Sequence, residues 1–432
     1  MKKFLTSAGL IAVGVSSLQA ASSSSLTPIE ASKPWSISSE LRGFYDDNIT
    51  TASDHKLNSL GYQLSPSASL NLPLDQTFIS LDYRYARIYY EQRPGSKTDQ
   101  THNFDGLLEH KFSERYKVAV ADTFVDSQEP TIEGSSQAIV TPYRTDGNNL
   151  HNFGTIRFTA QVTELLAVEL GYGNTFVTYS QDENSSLGYG SFPNTPKEAG
   201  QASSAGLLNR IEQTGSIDLR WLALQDTDAI LGYQFGDADY NGDEIIDYTN
   251  DIHSDAKNSR WHRIYVGADH RFNAQLNGSI RVGGQITDYY NQNDNKTTPY
   301  VDSSLTYQYG RGNFIRFGTT HTVAATDEYS IQNNNKNNIT VDQQVTAVYI
   351  SVRHMITPKL AGNLLVNGQR GEFQGGSQDG NVEYYFLPGV NFDYAFNPHI
   401  SAVAGYNFDR LDSDSGRSYT RNRAYIGVRA TY

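Results

Sequence analysis

From Pro34 onward the chain alternates apolar and polar residues with a period of two, and almost no run carries a helical period. Leu276, Gly278, Ile280, Val282, Gly284 and Ile286 share one face of a segment whose other face holds Asn277, Ser279, Arg281, Gln285 and Thr287. Ile211, Ile217, Leu219 and Trp221 stand opposite Arg210, Glu212, Ser216, Asp218 and Arg220. Near the C terminus, Ala424, Ile426, Val428, Ala430 and Tyr432 oppose Arg423, Tyr425, Arg429 and Thr431. Successive strand side chains point to opposite sides, so each segment predicts a strand with one apolar and one polar surface.

The connections alternate between short and long. Five short ones share a pattern: apolar, then Asn, Ser or Thr, two variable residues, then apolar. They span 112–116, 162–166, 272–276, 356–360 and 396–400. A polar side chain at the second position bonds back to the chain and sets a tight turn. Less regular short turns fall at 73–76, 225–228 and 310–313. Long polar loops are expected at 46–56, 91–101, 126–148, 181–204, 240–258, 291–299, 327–339, 373–381 and 412–418. The count is about 18 strands of roughly 10 to 16 residues, with both ends on the short-turn side. An even number of antiparallel strands, short turns at one end and long loops at the other describe a transmembrane up-and-down β-barrel. Closure leaves no edge, as hydrocarbon surroundings require.

Composition fits a barrel wall better than a soluble core. The chain has 29 Tyr, 19 Phe and 36 Gly among 432 residues, two Met, no Cys, and a mean hydropathy of −0.53. Aromatic residues near strand ends (Tyr83, Tyr85, Tyr89, Tyr90; Tyr172, Phe176, Tyr179; Tyr289, Tyr290, Tyr307, Tyr309) suit the girdles at membrane interfaces. No stretch beyond the N-terminus holds the roughly 20 apolar residues of a spanning helix. Without cysteine, disulfides, zinc-thiolate sites, cysteine nucleophiles and a lipoprotein anchor are excluded. A net charge of −13 without a basic cluster speaks against nucleic acid.

Residues 1–20 read as a cleaved signal peptide: Lys2 and Lys3, an apolar run over 4–15, then small residues up to Ala20. Residues 21–33 form a Ser-rich periplasmic tether, and 34–432 the barrel. Secretion through the periplasm then places the protein in the bacterial outer membrane.

If the apolar face meets lipid, the polar face lines the interior. That assigns Asp82, Arg84, Glu109, Arg157, Glu169, Asp218, Arg220, Arg263, Asp269, Arg281, Arg316, Asp393, Asp409 and Arg429 to the pore. A Lys or Arg turned to lipid near the midplane would cost about 2–4 kcal/mol. Opposed basic and acidic walls would set a transverse field, whereas interleaved charges would brace the wall as a hydrogen-bonded network. Tyr265 and Tyr425 also fall on the inner face, where rings could stack on sugars.

One loop suggests a structural calcium ion. From Asp239 to Asn250 the sequence resembles an EF-hand or dockerin-type loop, with oxygen ligands Asp239, Asn241, Asp243 and Asp247. It departs from that pattern at Glu244, where Gly is usual, and at Asn250, where an acid is usual. The alternative is a solvated acidic loop. No other cofactor is indicated. Asp46-Asp47 and Asp251-Ile252-His253 lack the spacing of a catalytic site, and no metalloprotease, serine-hydrolase or P-loop motif occurs, so no enzyme is expected.

The segment Trp35-Ser36-Ile37-Ser38 through Phe44-Tyr45-Asp46-Asp47-Asn48 resembles the opening strand of outer-membrane β-barrel porin families of Gram-negative bacteria. Some members of these families are encoded with exopolysaccharide machinery. The resemblance implies a porin or a polymer-export channel and carries no catalytic or binding residues with it. C-terminal Tyr432 looks like the signal by which barrel-assembly machinery recognises such chains. The expected function is a monomeric or trimeric channel for diffusion of small hydrophilic solutes through a mixed-charge pore. The alternatives are an exopolysaccharide-export barrel and a plugged structural or adhesive barrel whose loops bind a partner.

Overall fold

The period-two segments all become strands. The computed structural model describes residues 33–128, 149–180 and 202–432, apart from positions 241, 248, 293 and 311. The first nine strands are β1 (Trp35–Asp46), β2 (Ser59–Pro73), β3 (Thr77–Tyr90), β4 (Thr98–Lys111), β5 (Tyr116–Ser127), β6 (Asn149–Gln161), β7 (Leu166–Tyr179), β8 (Arg210–Leu224) and β9 (Thr227–Tyr240). A short helix, α1 (Ser204–Leu208), precedes β8. A small hairpin follows β9, made of β10 (Ile245–Asp247) and β11 (Ile252–His253). The wall resumes with β12 (Ser259–Arg271), β13 (Leu276–Tyr289), β14 (Asp294–Gly310), β15 (Asn313–Ala324) and β16 (Asp342–Thr357). It ends with β17 (Leu360–Gln374), β18 (Val382–Asn397), β19 (Ile400–Ser413) and β20 (Tyr419–Thr431).

Each wall strand pairs antiparallel with its neighbours in the chain, β9 pairs with β12, and β20 pairs with β1. The result is a closed 18-stranded barrel. The seam runs from Ser38 opposite Thr431 to Asp46 opposite Arg423. Side chains reinforce it. Arg421 Nη2 lies 2.5 Å from Asp46 Oδ2, Arg429 Nη2 lies 2.7 Å from Glu40 Oε2, and Asn422 Nδ2 donates to Asp47 Oδ2 at 2.6 Å. At the turn end the Tyr432 amide donates to the Ile37 carbonyl at 2.8 Å.

The two faces separate as the alternation requires. Ile264 and Val266 are each 60% exposed, whereas Tyr265 between them is 3% exposed. Since the strand belongs to one closed layer, the exposed apolar face is the outside of the barrel. Leu41, Leu64, Leu231, Ile280, Val282 and Val428 belong to the same outward surface.

The short turns use the predicted chemistry. Asn273 Oδ1 accepts from the amides of Gln275 and Leu276 at 2.8 and 2.9 Å. Asn397, Thr357 and Thr163 make the same pair of bonds to residues two and three positions on. Ser113 accepts from the Arg115 amide alone.

Three expectations need comment. The segment 291–299 is not a loop, because β14 begins at Asp294 and pairs with β13 from there. Its alternation is between buried Thr298 and Tyr300 and exposed Thr297 and Pro299, so no apolar stripe marked it as strand. Tyr90, Tyr179 and Tyr289 are not girdle residues. They point inward and are nearly fully buried, one position out of phase with outward Tyr89 and Tyr172. The proposed signal peptide and all of the tether except Lys33 lie outside the described residues.

Two substitutions test this assignment by urea-dependent folding into lipid vesicles. Asn273→Ala should lower stability by about 1 kcal/mol through loss of the turn bonds. Val282→Lys, which places a charge on the outward face, should cost about 2–4 kcal/mol.

Candidate functional site

The inner face is a charged wall. All fourteen residues assigned to it by alternation take inward register positions. Most are matched with a partner on a neighbouring strand. Arg157 Nε lies 3.6 Å from Glu169, Arg220 Nη2 lies 2.6 Å from Asp269 and 3.2 Å from Asp228, and Arg281 Nη1 lies 2.8 Å from Asp269. Arg423 approaches Asp409 at 3.3 Å, and Arg429 approaches Asp393 at 3.5 Å as well as Glu40. Lys117 pairs with Glu109 at 2.9 Å. Arg263 instead donates to Gln234, Gln285 and Thr322, with the Tyr300 and Trp261 rings 4.2 and 4.8 Å from its guanidinium. Interleaving brings most of the buried charges close to an opposite one, as a low-dielectric wall requires.

The balance is uneven around the ring. Asp82 and Asp105 are direct cross-strand partners on β3 and β4, with Glu109 two turns of alternation nearer the short-turn end. Arg316 and Arg353 lie on β15 and β16. Since β4 is fourth and β15 thirteenth in a ring of 18, they are nine places apart and face each other. Local pairing and an acid-to-base polarity across the barrel therefore coexist.

The inner tyrosines are already engaged. Tyr265 donates to Asp218 at 2.6 Å, and its ring lies where a side chain at Gly232 would otherwise sit, 2.2 Å from an ideal Cβ. Arg42 covers the Tyr425 ring at 4.6 Å. Neither ring presents a free face to a sugar.

At the long-loop end the connections turn inward and pack together. Leu207 and Leu208 of α1, Ile246, Ile252, Ala256 and Ile339 form one apolar cluster with the inward wall residues Val177, Tyr179 and Tyr289. Three side chains are prominent in binding the loops to one another. Lys257 Nζ donates to the carbonyls of Leu207 at 2.8 Å and Thr326 at 2.9 Å. The Tyr329 hydroxyl donates to Asp247 at 2.8 Å. Arg417 meets Glu383 at 2.5 Å, Asp327 at 2.7 Å and Glu328 at 3.2 Å. This cap reaches from the β7–β8 connection to the β19–β20 connection.

The calcium candidates are not brought together. Asp239 is exposed at the end of β9 and accepts from Asn258 Nδ2 at 3.0 Å. Both oxygens of Asp247 are engaged, by the amides of Thr249 and Asn250, the Asn250 side chain and Tyr329. Burial alone would raise the Asp247 pKa, but those hydrogen bonds outweigh it and hold the carboxyl below its usual range. Asn241 lies outside the described residues. Among the described residues no group of three or more His, Asp or Glu is placed to hold a metal ion.

Residues 238–432, from the end of β9 to the C terminus, match the family model described as "Putative beta-barrel porin 2". The match covers the C-terminal part of the closed 18-stranded barrel. Among solved structures the chain is similar to the outer membrane protein OpdK of Pseudomonas aeruginosa, at 10% identity over 92% of this chain and 99% of that one, with a TM-score of 0.43. It is also similar to OccAB3 of Acinetobacter baumannii (11% identity, 92% and 99% covered, TM-score 0.40) and to OccK11 of P. aeruginosa (13%, 92% and 96%, 0.41). No curated protein matches the chain.

Sequence reasoning missed two parts of this porin-like barrel. Glu40, Arg42, Asp105, Asp302 and Arg353 share the inward phase of residues it did assign, so extending the alternation would have found them. The cap was hidden because its core comes from loops read as polar. The adjacent apolar pairs Leu207-Leu208 and Ile245-Ile246 were its only signal.

Two outcomes are expected of the cap. Arg417→Ala leaves Asp327 and Glu383, 5% and 4% exposed, without their cation, which should cost about 3–5 kcal/mol and speed tryptic cleavage at exposed Lys336. Burial pushes the Lys257 amine down from 10.5 to about 7, with Arg210 adding to the shift against Asp342 and Asp327. A closed cap then binds fewer protons than an open one between those values, so closure gains stability as the pH rises through this window. Tryptic cleavage at exposed Lys336, measured relative to an unstructured substrate, should slow from pH 8 to pH 10 in the wild type, and Lys257→Met should lose that slowing.

Proposed function

We propose that this porin-like barrel is a channel through which small hydrophilic solutes diffuse, along an interior of mixed charge. The observation that carries the reading is the division of one closed 18-stranded wall into an apolar outside and a charged inside. A barrel of this size can enclose an aqueous path. The polarity between β3–β4 and β15–β16 would orient dipolar solutes within it.

The loop cap favours a second reading, in which the resting barrel is closed at its mouth and its loops meet a partner. Polysaccharide export draws less support, because Tyr265 and Tyr425 are occupied by Asp218 and Arg42. Exposed Tyr432, paired with Ile37 at the seam, is suited to engage the assembly machinery. Purified protein in a planar bilayer should carry stepwise ion current, and Arg417→Ala should raise the fraction of time spent open. A wild type and a variant that pass no current at any voltage would overturn the channel in favour of the plugged barrel.

A further inference from the structure

The inner arginines divide into two kinds. Most meet a carboxylate or, for Arg263, neutral acceptors. Arg84, Arg316 and Arg353 stand apart, with no hydrogen bond or ion pair among the described residues. Arg84 sits beside Asp105 in the acidic sector, which accounts for its charge. Arg316 has no such surroundings, and Arg353 has only Asp393, which it shares with Arg429. The stretches 313–318, 349–357 and 360–366, which form the turn-side half of β15, β16 and β17, contain no Asp or Glu. Asp393, two strands from Arg353, is already engaged by Arg429 at 3.5 Å and Asn363 at 3.2 Å.

The two guanidiniums are neighbours. Arg316 is opposite Ser351, and Arg353 is opposite Phe314, so the arginines are diagonal partners on adjacent strands. Such positions lie about 7–8 Å apart, within the joint reach of two long side chains. On the β14 side Arg316 faces Thr306, which is 3% exposed and whose hydroxyl has no partner. On the β17 side Arg353 faces Asn363. The row thus offers two unpaired forks and one unpaired buried hydroxyl, with donors in excess of acceptors.

We propose that Arg316, Arg353 and Thr306 form a binding site for a small oxyanion, a carboxylate or phosphate group carried by a solute in transit. A guanidinium fork matches two oxygens of such a group, which chloride cannot reproduce. The acidic sector across the barrel repels the same group, so an anion that enters is held to this side. The site names a solute class for the channel reading and rests on it.

Equilibrium dialysis of radiolabelled phosphate against detergent-solubilised barrel measures the site without requiring transport. Wild type should bind phosphate in the presence of excess chloride. Arg316→Gln with Arg353→Gln should bind at least about tenfold more weakly, a loss of about 1.4 kcal/mol. Arg84→Gln, with its arginine in the acidic sector, should bind as wild type does. Retention of binding by the double variant, or an equal loss in Arg84→Gln, would overturn the site. Heat-modifiable migration of each variant checks that its barrel is closed. The same proteins in planar bilayers separate the two readings. Phosphate binding without current defeats the channel and leaves the site, whereas current without phosphate binding defeats the site and leaves the channel.

Discussion

Everything in this molecule depends on the pairing of β1 with β20. A strand within hydrocarbon must satisfy its amides and carbonyls on both sides, because no water is available to do so. Seventeen neighbour pairings still leave two open edges, and only the eighteenth removes them. The seam is also where the sequence separation is largest, with Ser38 pairing Thr431. Closing so long a loop carries a high entropic cost. The ion pairs Arg421–Asp46 and Arg429–Glu40 lie at this join, and they add directional contacts where local chain connectivity contributes none.

Closure has an electrostatic consequence. It turns every second side chain of 18 strands toward a shared interior, so charges distant in sequence become neighbours. Arg220 and Asp269 are 49 positions apart yet share a hydrogen bond of 2.6 Å. A wall of this kind tolerates charge where each group finds an opposite one, and most do. The sectors where one sign prevails, with Asp82 and Asp105 on one side and Arg316 and Arg353 on the other, give the interior its polarity.

The mouth obeys a different rule. Its loops are polar in composition, yet they bury a small apolar core against inward-facing Val177, Tyr179 and Tyr289. Lys257 and Arg417 act there as polar clamps, one on backbone carbonyls and one on carboxylates. The wall is continuous and hydrogen-bonded throughout, whereas the cap is held by a handful of contacts between separate loops. Motion should therefore concentrate in the cap.

Strand number, facing and turn chemistry were legible in the sequence because each follows from neighbours within a few positions. Period two assigns a face to every residue, and Asn273 or Asn397 sets its own turn. The same logic placed all fourteen interior candidates in phase. It could not tell that Arg281 would share Asp269 with Arg220, or that Arg316 and Arg353 would form no ion pair of their own. Those facts depend on the register between strands, on which strands face each other, and on how loops pack. The sequence by itself determined a barrel with an apolar outside and a charged inside. Only the tertiary structure decided which charges cancel and that the mouth is capped, because both arise between residues that closure, and not chain proximity, brings together.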